Sequence, residues 1–374
     1  MNIAQYINKD RLIQTFGELL RINSPSFNEH EIGEVLASRL ADAGFQAERR
    51  EYGKSFNLVA VKKGINNAPP LLLSAHMDTI EPTEGISFNI EQDAIRTTGN
   101  TVLGADDKSA IAQIIEAATV LHENNIPHGD VEIAFTSAEE KGLHGARNLD
   151  LSKIKSRHAL VLDSSGSVGR IVIAAPTHIT YEMSVTGRPA HAGIEPEKGI
   201  NAIRAAAEII SNIPDGRIDS ETTANIGIIT GGTATNVVPK EVVIHGELRG
   251  HSAGAINKLK KTIFDIAKQT AARHHAMIHI SEFEEYRSFK INKDEPFLKY
   301  LDGIYKNCGI ETAHVTTGGG SDANIFNEKG ITSINISNGM QNVHSTEEFI
   351  TIQDLYNGCL IVLQSVAGFN KFLR

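Results

Sequence analysis

Chemistry is concentrated in a few stretches of this 374-residue chain, where acids and histidines follow an apolar run or open a helix. In VEIAFTSAEEKGLHGA, the β-branched and aromatic residues from Val131 to Phe135 read as a buried central strand whose end carries adjacent carboxylates, Glu139 and Glu140. Open α/β sheets bind ligands outside the carboxyl ends of such strands, so the pair stands where a reaction is expected. In LLLSAHMDTI, strand alternation turns His76 and Asp78 to one side. The carboxylate can then hold one ring N–H and leave the other nitrogen for a metal. Asp106 and Asp107 in GNTVLGADDKSAIA follow a glycine-bracketed turn and open a helix. One aspartate suffices as a cap; the second, held at a loop-to-helix junction, can bridge two cations through its two oxygens. Asp163 ends the apolar run ALVLDSS, and His344 precedes STEEF, a capping sequence for the last helix.

The elements that must position these residues alternate. EIGEVLASRLADAGF sets Ile32, Val35, Leu36 and Leu40 on one helical face, with Gly44 placed to end it. Strand-like runs follow at NLVAV, LLLSAHMDTI, VEIAFTS and ALVLDSS, with the helix KSAIAQIIEAATVLHENN between the second and third. The expected fold is α/β, a mainly parallel sheet flanked by helices. From 177 to 286 the order becomes strand, helix, strand, strand, helix, strand, the signature of an inserted ferredoxin-like α+β unit. The flanking segments 1–176 and 287–374 then form one larger domain, with a helix near Phe297–Asn307, the strand ITSINIS and a last helix from about Thr351.

Composition excludes several classes of function. Hydrophobic residues make up 41% and charged residues 22%, as in a globular protein, and the net charge of −9 offers nucleic acid no broad basic surface. No apolar run reaches the roughly 18 residues of a membrane span. The start MNIAQYINKDRL has no signal-peptide layout, so a cytoplasmic location is expected. Cys308 and Cys359 lie in helix-like patterns and read as buried, reduced thiols.

Taken in order, SAHMDT, GADDKSAIA, TSAEEKGLHGA, LVLDSS, GRPAHAG, ATNVVP, ELRG and NVHSTEEF resemble the di-zinc exopeptidase family that includes peptidase T, acetylornithine deacetylase, succinyl-diaminopimelate desuccinylase, aminoacylase and glutamate carboxypeptidase. The resemblance spans essentially the whole chain and is greatest to peptidase T and its shorter relatives. It implies two divalent metal ions, zinc first and cobalt or manganese as alternatives. Asp106 would bridge them, His76 and Asp163 would complete one site, and Glu140 and His344 the other. Asp78 would orient His76, and Glu139 would be the general base acting on a water between the metals. The resemblance also implies a cis peptide between Asp106 and Asp107.

In the inserted unit, the resemblance gives His191 the role of stabilising the oxyanion in a partner subunit's site, which requires a homodimer through this lid-like insertion. Asn236 and Arg249 match substrate-holding positions, and arginine's planar fork suits a terminal carboxylate. Gly319 and Gly320, in the run Gly318–Gly320 before Ser321, read either as a substrate-side loop with free N–H groups or as a plain turn. An aspartate at 163 accompanies peptide-cleaving members of the family, which favours a tripeptidase-type aminopeptidase acting on short peptides. A deacylase or carboxypeptidase on N-acyl amino acids is the enzyme alternative, and an inactive binding protein on the same fold the non-enzyme one.

Overall fold

The computed structural model describes residues 3–65 and 69–372. It contains two compact units, one made of Met1–Ile173, Lys290–Thr316 and Ser321–Arg374, the other of Ala174–Phe289 and Thr317–Gly320. The turn 317–320, which the sequence pattern assigns to the larger domain, thus packs with the insertion.

In the larger unit, four parallel strands form the middle of the sheet in the order Val131–Thr136, Leu71–His76, His158–Ser164, Thr332–Ser337. Antiparallel neighbours close both flanks: Ser55–Lys62 pairs with Val131–Thr136, and Arg170–Ala175 with Thr332–Ser337. Every residue of Leu71–His76 and Val131–Thr136 is buried, which explains why these strands read as continuous apolar runs instead of alternating ones. Leu71, Leu72 and Leu73 are each at most 2% exposed. Truncating one of them to alanine costs about 2–5 kcal/mol.

Helix Ala105–Glu123 is buried along most of its length and packs against the terminal helix Ile352–Phe372 and the strand Leu71–His76. Helix His30–Asp42 buries Ile32, Leu36 and Leu40 on one face, and Gly44, at φ +78°, turns the chain out of it. A separate four-stranded sheet has the order Met340–Gln341, Phe349–Thr351, Ala94–Thr97, Phe88–Ile90. It ties the loop 342–348 to the loop that leads into helix Ala105–Glu123.

The inserted unit has a five-stranded antiparallel sheet in the order Gly216–Arg217, Thr222–Gly231, Glu241–Gly250, Thr177–Thr186, Met277–Tyr286. Thr177–Thr186 alternates strictly, with Ile179, Tyr181, Met183 and Val185 turned to helices Ala202–Asn212 and Ala253–Arg273. Ala202, Ala205 and Ile209 from one helix and Ile256, Ile263 and Ala267 from the other complete this core. Each fully buried aliphatic chain there stabilises the unit by about 1.5–3 kcal/mol. Ile228 and Phe283 are about half exposed, at 56% and 53%. Both cysteines are free; Cys359 is buried, whereas Cys308 ends a helix and is only half-buried. Among the described residues, no helix is long and apolar enough to cross a membrane.

Candidate metal centre

The carboxyl ends of the central parallel strands converge. His76 is the last residue of its strand, which lies between the strand leading to Glu139 and Glu140 and the strand carrying Asp163. His76 Nε2 lies 3.0 Å from Asp106 Oδ1 and 3.9 Å from Asp163 Oδ1. On the other side of Asp106, His344 Nε2 lies 3.1 Å from Oδ2 and 2.8 Å from Glu140 Oε1. The two oxygens of Asp106 therefore face two different imidazoles. Ligand atoms of His76, Asp106 and Glu140 lie within 4.8 Å of one another, as do those of His76, Glu139 and Asp163. Either set could hold an ion; the two share His76, and neither includes His344.

The segment bearing Asp106 does not begin as an ordinary helix. Asp106 and Asp107 have non-helical backbones, neither caps the helix, and the peptide between them is cis. Glu348 holds the approach, Oε2 accepting from the N–H groups of Leu103 at 2.7 Å and Gly104 at 2.8 Å, and Oε1 from Asp106 N–H at 3.0 Å. Its burial has a cost, since it pushes the carboxyl up to about 7 despite these bonds. STEEF is thus an anchor for the Asp106 loop, and the last helix is capped instead by Thr351, whose Oγ1 accepts from Asp354 N–H at 2.9 Å. Asp107 turns away from the ligands, accepting from His76 N–H at 3.2 Å and Asn338 Nδ2 at 2.8 Å.

Asp78 holds its neighbours differently from the sequence expectation. The imidazole Nδ1–H of His76 donates to the backbone carbonyl of Asp78 at 2.7 Å, while the carboxylate Oδ1 lies farther off, at 3.5 Å. The Asp78 carboxylate instead accepts from the backbone N–H groups of Glu139 at 2.9 Å and Glu140 at 3.2 Å. One residue thus fixes the His76 tautomer through its carbonyl and the adjacent glutamates through its side chain. With Nδ1 bonded in this way, Nε2 is the nitrogen left for a cation.

The electrostatics of the cluster follow from its burial and its crowded charges. Burial pushes Glu139 well above the usual glutamate range, and the charge of Asp163 adds to it. Burial and Asp106 do the same to Asp163. Burial raises Asp322 to about 6, with the Thr136 hydroxyl, which donates to its Oδ2 at 2.5 Å, opposing. Asp106 moves the other way: burial opposes its charge, but bonds from His344 and His76 hold it well below the ordinary range. Asp106 and Glu140 push His344 up to about 10. For His76, burial opposes protonation, and Asp106 and Asp78 outweigh it. Carboxylates outnumber imidazoles in a site shielded from water, and divalent cations would balance the surplus. Imidazole nitrogen with carboxylate oxygen suits zinc and its neighbours.

The residues proposed for substrate lie in the inserted unit. His191 and Asn236 are exposed on paired backbone segments, with Ala192 N–H donating to the Asn236 carbonyl at 2.9 Å. Arg249 is forked onto Glu247, Nε to Oε1 at 3.0 Å and a terminal nitrogen to Oε2 at 3.2 Å, while its other terminal nitrogen donates to the Gly318 carbonyl at 3.2 Å. The expectation of free N–H groups in the glycine run needs correction at Gly319, whose N–H donates to Thr317 Oγ1 at 3.2 Å. Gly320 is fixed by space, since a Cβ there would come within 2.3 Å of the Tyr286 ring.

A parallel sheet whose strand ends gather this donor set, with the buried Glu139 at its edge, defines a metal-dependent hydrolase. The sequence profile of a peptidase dimerisation domain matches residues 173–275, and that of peptidase family M28 matches residues 57–197. The chain is 37% identical over 359 residues to the uncharacterized protein YqjE of Bacillus subtilis (strain 168), covering 93% of this chain and 95% of that one. A tripeptidase structure from Staphylococcus aureus subsp. aureus Mu50 matches with a TM-score of 0.93 at 33% identity, over 98% of this chain and 99% of that one. The structure of aminopeptidase PepT from Bacillus cereus ATCC 10987 matches with a TM-score of 0.89 at 34% identity, over 99% and 100%. The chain belongs to the M20 di-zinc exopeptidase family, close to peptidase T, and is a metal-dependent peptidase of that family.

Proposed function

We propose that this chain is a tripeptidase-type aminopeptidase of the cytoplasm that removes the first residue from short peptides with the help of two divalent cations, zinc by donor chemistry. The observation that carries the reading is the double engagement of Asp106, whose two oxygens face His76 at 3.0 Å and His344 at 3.1 Å. Asp163 then completes the His76 site and Glu140 the His344 site. When bound, such cations polarise the scissile carbonyl and lower the pKa of water toward about 7.

The chain's own residues do the rest. Glu139 takes a proton from the attacking water and delivers it to the amine that leaves as the peptide bond breaks. Asp78 holds the backbone N–H groups of Glu139 and Glu140, so base and ligand keep fixed stations. Arg249 receives a substrate carboxylate, and Asn236 and the Gly319–Gly320 turn line the substrate. The matched dimerisation domain supports a homodimer through the inserted unit, in which His191 donates to the oxyanion in the partner subunit's site.

The test uses full-length protein loaded with zinc, cobalt or manganese. Free tripeptides should be cleaved at the first bond and N-acetylated ones left intact. Preference for the acetylated peptides would establish a deacylase. No hydrolysis with any metal, together with binding well short of two ions per chain, would establish a binding protein.

A further inference from the structure

We propose that Glu29 is a positioning residue for Glu139, acting through the backbone of Ala138; the proposal rests on the reading of Glu139 as the general base. Glu29 is only 1% exposed and directly precedes helix His30–Asp42. No side-chain cap bond forms there. Its Oε1 instead accepts from Ala138 N–H at 2.8 Å and from Phe27 N–H at 2.9 Å. Ala138 has φ +48°, a left-handed backbone that an alanine adopts only when its surroundings enforce it.

Ala138 is the residue immediately before Glu139. The consecutive N–H groups of 138, 139 and 140 are all taken by carboxylates, the first by Glu29 and the next two by Asp78. Both carboxylates are fixed by the same segment. Ser26 donates to Asp78 Oδ2 at 2.7 Å, Ser24 Oγ donates to the Met77 carbonyl at 2.9 Å, and Thr79 N–H donates to the Ser24 carbonyl at 3.0 Å. Segment 24–29 therefore buckles the end of the His76 strand to the turn that carries Glu139. Behind it, Ser55 reaches both Glu29, at 3.4 Å, and Ser137, at 3.0 Å, and Tyr52 meets Ser137 at 2.8 Å.

Asp78 also touches His76, so altering it would disturb a metal ligand as well. Glu29 bonds to none of the proposed ligands. Without an acceptor at Glu29, the Ala138 N–H is buried and unpaired, and the turn relaxes toward an ordinary backbone that re-aims the next side chain. A misplacement of about 1 Å can cost about 100-fold in turnover. The work requires an acceptor at a given reach rather than a charge. A glutamine serves equally, its oxygen toward Ala138 and its nitrogen toward Ser55, whereas an aspartate falls one carbon short.

The experiment compares zinc-loaded, full-length Glu29→Gln, Glu29→Asp, Glu29→Ala and Glu139→Gln in the tripeptide assay, with bound metal and thermal melting measured on each. Glu29→Gln should stay within about threefold of the parent kcat. Glu29→Asp and Glu29→Ala should lower kcat by about 10- to 100-fold, with KM and metal content unchanged. If Glu29→Ala does not fold, the Asp and Gln variants decide. Full activity in folded Glu29→Asp, loss of metal in step with loss of activity, or an active Asp variant beside a dead Gln variant would each overturn the proposal. An active Glu139→Gln removes the base assignment and this proposal with it. A dead Glu139→Gln beside a fully active Glu29→Asp removes only Glu29.

Discussion

Apart from His344, whose side chain is 48% exposed, the two units hold their functional side chains in opposite ways. In the larger unit His76, Asp78, Asp107 and Glu139 are 1%, 0%, 0% and 8% exposed, and the turn beneath Glu139 is bonded at every N–H from 138 to 140. In the inserted unit His191 and Asn236 stand in solvent, and the Arg249 side chain is 30% exposed, with Glu247 as its acceptor. A general base, and the residues proposed to position it and the ligands beside it, must be in place before substrate arrives, because preorganised charge is what makes such a site effective. Residues proposed to receive a flexible peptide, or to act in a partner subunit's site, would complete their contacts on assembly. Pre-built order and order on assembly predict different responses to mutation.

The largest effect should come from the locked region. Glu139→Gln should lower kcat by about 100- to 10,000-fold with metal content unchanged, whereas Glu140→Gln should lose metal first; equal metal loss in both, measured by elemental analysis, would break the division between the neighbours. Next comes His191→Ala, expected to lower kcat by about 100- to 1,000-fold without loss of metal or melting temperature. Mixing it with Glu139→Gln should restore part of the activity once subunits exchange, because one site then has an intact Glu139 and receives an intact His191. Exchange without recovery would show that His191 does not act across subunits.

Smaller effects sharpen the same contrast. Glu348→Ala leaves three backbone N–H groups without their acceptor and should weaken metal affinity by about 10- to 100-fold, read by competition with a chelator. Glu348→Gln should recover only part of it, because its single amide oxygen replaces one carboxylate oxygen and its Nε2 cannot accept from the remaining N–H. Arg249→Lys replaces a planar fork with a point charge and should raise KM by about tenfold for peptides with a free terminal carboxylate. Peptides amidated at that end should show little change, and an equal rise for both would remove Arg249 as the carboxylate partner.

How much of this was legible in sequence depends on how each residue acts. His76, Glu140 and Asp163 follow apolar strand runs, and a local pattern is enough to point at them. The order of the inserted strands and helices was readable because each carries its own period, as the strict alternation of Thr177–Thr186 illustrates. Glu29, Glu348 and Asn338 left no such trace. They act on backbone N–H groups or on other side chains 109, 242 and 231 residues away, and an acid beside a helix looks like a cap wherever its side chain goes. Asp78 was visible as a partner of His76, but that its carbonyl and carboxylate divide the task could not be, since alternation fixes a side and not an atom.

The small sheet that brings residues 340–351 beside the Asp106 loop also sets a timetable. His344 is encoded 204 residues after Glu140, and Glu348 follows Asp106 by 242. A chain emerging from the ribosome displays most of the acids long before it displays the hairpin that delivers the second imidazole and the clamp on Asp106. The entire inserted unit is synthesised in that interval. With the proposed ligands, a nascent chain therefore carries an incomplete site until residues 344–348 have been made.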